Sequence, residues 1–138
     1  RNQAKINLGN HQVAFLIELV NLCIFYAIPV IVENPLTSRL WNIPSLNYLI
    51  ELGNSCVFDA CQYGSSKRGT TRLAAWNVDV SFMDSRCQSA GNVCSYSGSR
   101  HSHFKSSVPF AAALRTFPSS AYCRGLVLAL VSGFLQLL

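Results

Sequence analysis

Apolar positions run almost without interruption from Val13 to Val32, with Glu18 as the sole charge, and the run stops at Glu33-Asn34-Pro35. It divides into two parts. In the first, the polar residues Asn7, His11, Glu18 and Asn21 fall on one narrow stripe if the segment is helical. Asn10 can serve as an N-cap, and a helix is predicted from there to about Tyr26. Pro29 breaks that periodicity, and the β-branched Val30, Ile31 and Val32 after it predict a buried strand over 29–33. Pro35 biases Asn34 towards an extended backbone and has no N–H to continue a ladder, so it marks the strand boundary.

The twenty apolar-rich residues 13–32 are enough to weigh as a membrane span. Pro29, the β-branched residues beyond it and the polar stripe favour a buried helix feeding a buried strand, and a membrane partner is not expected. The tail 126–138 is also apolar, but it carries Ser132, Gly133 and Gln136 and is short for a span.

Further along, Pro35 to Pro44 reads as a loop with one turn of helix. Ser45 is a candidate N-cap for a short helix, Leu46 to Leu52, ended by Gly53-Asn54. Strands are predicted at Cys56-Val57-Phe58 and Thr71 to Trp76, separated by a polar, glycine-bearing loop from Asp59 to Gly69. A short element over 78–83 puts Phe82 and Met83 forward as core residues. Residues 84–107 are rich in Ser, Gly, Cys and His, without periodicity, and read as an irregular insertion. Ala121 to Leu138 suggest a terminal helix.

Charge changes the picture mainly through its placement. The net +5 comes from the second part of the chain. Residues 1–84 are balanced, whereas Arg86, Arg100, Lys105, Arg115 and Arg124 follow with no acid among them. Such an excess suits phosphate or an anionic surface, or it is a solvated basic face. The six cysteines, in a chain without a signal-peptide pattern, point to free thiols and an intracellular setting, nuclear or cytoplasmic. Cys87, Cys94, His101 and His103 form a soft-ligand set for zinc, with Cys56 and Cys61 nearby in sequence. Their gaps are not the tight Cys-x-x-Cys knuckles of a strong zinc signal, so thiols without metal are expected and no metal site is assigned.

The order of these features carries a resemblance. A helix, an apolar strand ending Glu33-Asn34-Pro35, Ser38 and Trp41, then Phe58-Asp59-x-Cys61-x-Tyr63-Gly64 with a Lys/Arg cluster resembles the second half of a cytosine-C5 DNA methyltransferase domain. It is most similar to divergent versions in mobile-element-like reading frames. Cys87, Cys94-Ser95-x-Ser97-Gly98-x-x-His101, Phe117-Pro118 and Tyr122-Cys123 extend the likeness over most of the chain. The resemblance implies an α/β fold, a partial class I methyltransferase (Rossmann-like) sheet with flanking helices. It implies S-adenosylmethionine as ancestral cofactor and DNA as partner.

By that resemblance Glu33 would hydrogen-bond a flipped cytosine and Asn34 would help fix the turn. A carboxyl at a sheet edge suits the role, because it can share a proton with a ring nitrogen. The plainer alternative is that Glu33 caps a helix or pairs with Arg39. Arg68 and Arg72, with Lys67 and Arg100, are the candidate nucleic-acid contacts, or a solvated basic turn. The glycine-rich cofactor loop and the Pro-Cys nucleophile of that family are missing, so cofactor-binding residues stay unassigned. Arg1 is not an initiator Met and 138 residues are short for such an enzyme, so residues 1–138 are expected to be one truncated domain, inactive alone. The other readings are a non-catalytic basic nucleic-acid-binding module and, third, a small membrane-associated protein.

Overall fold

A computed structural model describes residues 2–89, 91–102 and 124–135. Helix α1 (Asn2–Phe25) starts well before Asn10, where a Gln3 to Asn7 side-chain hydrogen bond of 2.9 Å spans one turn. Its Leu16, Ile17, Val20 and Ile24 face the core, while Leu8, Phe15, Leu19 and Leu22 are exposed. Among the described residues α1 is the one helix long and apolar enough to cross a membrane. The helix ends through Ala27, which adopts a left-handed backbone (φ 55°). The Asn77 side chain donates to the carbonyls of Cys23 (3.0 Å) and Ile28 (3.1 Å), supplying partners at the helix end.

Strand β1 (Val30–Pro35) follows, then a 3₁₀ turn at Arg39–Asn42, helix α2 (Pro44–Glu51), strand β2 (Asn54–Asp59), strand β3 (Thr70–Trp76), a 3₁₀ turn at Ser81–Met83 and helix α3 (Arg124–Leu135). Helix α2 begins one residue earlier than its predicted cap. Pro44 occupies its first turn, where a missing N–H costs nothing, and Ile43 rather than Ser45 is the N-cap residue.

The strands form an open sheet in the order β1-β3-β2, both pairs antiparallel, with Asn34 opposite Arg72 and Cys56 opposite Leu73. The fold is thus mixed helix and sheet, and the parallel pairing expected of a Rossmann-like sheet does not occur between the described strands. Connection length accounts for this. The segment 60–69 is short enough to fold β3 back onto β2, whereas a parallel neighbour needs a longer crossover.

Strand alternation gives the sheet two buried faces. Val32, Ala74 and Trp76 pack on Val20 of α1 and on Leu46, Leu49 and Ile50 of α2. Cys56, Phe58, Leu73 and Ala75 pack on Val78, Val80, Met83 and Leu126. Trp76 donates its indole N–H to the Leu49 carbonyl at 2.7 Å, fastening α2 to the sheet. Gly53, between α2 and β2, has no room for a side chain: a Cβ there would clash with the Ala75 carbonyl oxygen.

Candidate metal centre

The end of β2 is where the chemistry gathers. Beyond Asp59 the chain makes a 3₁₀ turn (Ala60–Tyr63) closed by Gly64, whose φ of 93° favours glycine. The Ala60 N–H donates to the Gly69 carbonyl at 3.1 Å, bringing the loop back to begin β3. This turn buries Cys61 on the inner side of the loop.

The second half of the site comes from residues 84–102. Ser85 runs beside Phe58, and its carbonyl accepts the Asp59 N–H at 2.9 Å. Residues 93–100 form a tight hairpin in which Val93 pairs with Arg100 and the Cys94 N–H donates to the Ser99 carbonyl at 2.8 Å. The His101 N–H, donating to the Asn92 carbonyl at 2.7 Å, closes its base. Cys94 and His101 therefore sit at the two roots of one hairpin.

These elements bring Cys61, Cys87, Cys94 and His101 together, with one ligand atom from each inside a mutual distance of 4.8 Å. Cys87 Sγ lies 3.7 Å from His101 Nε2. For zinc bonds of about 2.3 Å to sulfur and about 2.0 Å to nitrogen, the edges of a tetrahedron are roughly 3.5–3.8 Å. The observed spacing needs to contract by about an ångström at its widest edge to fit. Cys61, Cys87 and Cys94 form a buried cluster of their own and are free thiols. Among the described residues of 84–102, Cys87 and Cys94 are the buried ones. The segment has no apolar core apart from its sulfurs, which is the situation in which a metal supplies folding energy.

The electrostatics suit thiolates. Cys87 Sγ accepts from the Ser95 N–H and the Ser95 hydroxyl, each at 3.5 Å, and these donors hold its thiol well below the usual range. The Ser97 N–H does the same for Cys94. Burial pushes the Cys61 thiol up, and its hydrogen bonds with Cys94 and Cys87 push it further. A divalent ion bound there would displace the thiol protons.

Asp59 holds the frame. It is fully buried, and its carboxylate accepts from the Thr70 hydroxyl, from the Cys87 N–H at 2.8 Å and from Arg68 Nε at 3.2 Å, with Arg86 Nε at 3.5 Å. Arg68 also donates to the Cys87 carbonyl at 3.0 Å, so Asp59 and Arg68 clamp both sides of the Cys87 backbone. Burial pushes the Asp59 carboxyl up, but the Thr70, Cys87 and Arg68 hydrogen bonds and the Arg86 charge bring it below its ordinary value.

The residues predicted from sequence fall in several places. Glu33 pairs with Leu73 and Asn34 with Arg72, so the two face opposite sides of the sheet and do not converge. Arg72 lies over the Trp41 ring at 5.3 Å and reaches Ser55 Oγ at 3.4 Å. Arg68 supports the cysteine site, Lys67 is exposed in the adjoining loop, and Arg100 lines a cavity of about 230 Å³ together with Cys61, Cys94 and His101. His103 lies outside the described residues, as do Phe117-Pro118 and Tyr122-Cys123.

Sequence reasoning placed Cys61 only near the ligand set and gave Asp59 no role. The available signal was the even spacing of Cys87, Cys94 and His101 in a stretch without core residues. No family model, curated protein or solved structure matches the chain.

Proposed function

We propose that this chain is a non-catalytic binding module whose irregular segment is held by a structural zinc ion on Cys61, Cys87, Cys94 and His101. The observation that carries this reading is the convergence of four soft ligands, from the β2–β3 connection and from residues 84–102, within 4.8 Å. Three cysteines and one histidine make a closed structural set, which leaves no position for a reacting water. The ligands are buried or lie at the root of a hairpin, and backbone N–H groups point at the sulfurs, as structural thiolates require.

The rival is a remnant of a cytosine-C5 methyltransferase on part of a Rossmann-like sheet, with S-adenosylmethionine as ancestral cofactor and a base site at Glu33. It rests on motif order, and Glu33 and Asn34 lie on opposite faces of an antiparallel pair. Cobalt titration of the metal-stripped full chain tests the zinc reading. One equivalent should produce the charge-transfer and d–d bands of a tetrahedral thiolate site, with intensity reduced in Cys94→Ser. Absence of those bands, or bands unchanged in Cys94→Ser, overturns it.

A further inference from the structure

The zinc-held pole of the molecule carries a feature that a merely structural staple does not require. Segments 60–69 and 84–102, which build it, contain Lys67, Arg68, Arg86 and Arg100 against a single acidic residue, the exposed Asp84 at its margin. Asp59, at the end of β2, is fully buried and already faces two guanidinium groups. The side chains of Arg68 and Arg86 are still about half exposed, at 47% and 46%. Zinc with three thiolates and a neutral imidazole carries one negative charge, which leaves the pole positive.

At the tip of the hairpin stands Tyr96, 66% exposed, with Val93 on the same hairpin 43% exposed and Arg100 directly across from Val93. Its exposure leaves the ring available for stacking on a flat partner. The turn around it is ordered by the Gly98 N–H to Cys94 carbonyl bond of 2.9 Å, and both roots of the hairpin are metal ligands. The ring is therefore presented on the same ordered hairpin that carries Arg100.

We infer that the hairpin 93–100 and the adjoining Lys67–Arg68 loop form a binding site for single-stranded nucleic acid. Tyr96 stacks on an unpaired base while Arg100, Lys67 and Arg86 contact the flanking phosphates. A π-face and regularly spaced negative charge occur together in a single strand, whereas a duplex hides its base faces. This inference rests on the zinc reading, since the metal holds the hairpin roots.

The test is fluorescence anisotropy of the zinc-loaded full chain with labelled oligo-dT and oligo-U, and with a duplex of the same length, over a salt series. The 2′-hydroxyl decides between the DNA and RNA arms. Single strands should bind more tightly than duplex, with affinity falling as salt rises. Tyr96→Ala should weaken binding at least about fivefold, while Tyr96→Phe, which keeps the stacking face, should bind as the parent does. Arg100→Ala should lower the salt slope by about 0.7.

No binding to either single strand at low salt overturns the inference. So does equal binding by Tyr96→Ala, or complete displacement by polyglutamate with no effect of Tyr96→Ala, which would mark a charge-driven protein contact. Zinc measured on the same samples keeps the two claims apart. Absent zinc removes the staple, whereas stoichiometric zinc without oligonucleotide binding removes the nucleic-acid site alone.

Discussion

Replacing Asp59 by Asn removes one charge without changing the size of a fully buried side chain, and it strikes the group on which the metal pole is hung. Asn offers one oxygen where Asp offers two. The Thr70 hydroxyl and the Cys87 N–H approach different oxygens of the carboxylate, so one of these donors would face an amide NH₂. A buried donor left without an acceptor costs about 1–3 kcal/mol. Arg68 and Arg86 are about half exposed, so their ion pairs with Asp59 are screened, and losing them adds no more than about 1 kcal/mol each.

The combined expectation is a loss of about 2–4 kcal/mol in urea unfolding of the zinc-loaded chain. The Cys87 backbone loses its clamp, so zinc affinity measured by chelator competition should fall by about 10- to 100-fold. The pH dependence follows from the same contacts. The folded carboxyl titrates below its ordinary value of 3.8, so its contribution is complete above that value and is lost as pH falls through the folded pKa. The Asn variant should lack that acid-dependent component. Stability within about 0.5 kcal/mol of the parent, with unchanged chelator competition, would refute the role given to Asp59.

Other outcomes can be checked directly. Removing zinc with a chelator should speed tryptic cleavage after Arg86 and Arg100 far more than after Arg39 in the 3₁₀ turn following β1, because residues 84–102 lack another core; equal acceleration at all three would contradict this. Gly53→Ala should cost about 1–3 kcal/mol in thermal or urea unfolding, because the new Cβ meets a backbone oxygen that cannot swing aside. Glu33→Gln should leave oligonucleotide binding and zinc content unchanged; a specific loss of base recognition would instead support a methyltransferase-derived site.

What the sequence made legible follows from where its signals are local. The β-branched run at Val30–Val32 and the stretch from Thr71 to Trp76 produced strands close to their expected positions, because short apolar runs suit a sheet buried on both faces. Pairing was not written that way. Nothing local to Thr70–Trp76 says that it lies between β1 and β2, and the antiparallel order emerges from chain connection and packing. Glu33 and Asn34 drew attention as neighbours, yet adjacency in a strand guarantees opposite faces. The cysteine site was half visible. Cys87, Cys94 and His101 recur at even intervals, but Cys61 joins them only because the β2–β3 connection folds back beside Ser85. Asp59 looked like an ordinary loop residue until burial made its carboxylate a hub.

Metal content is the most direct test of the account. Elemental analysis of the full chain, purified without chelator and freed of loose metal by gel filtration, should give one zinc per chain, falling to well under half in Cys61→Ser, Cys87→Ser and Cys94→Ser but not in Cys56→Ser, whose thiol lies in the apolar core. A parent chain without stoichiometric zinc that also fails to take up one equivalent when refolded with it, or an equal loss in Cys56→Ser, would contradict the central claim.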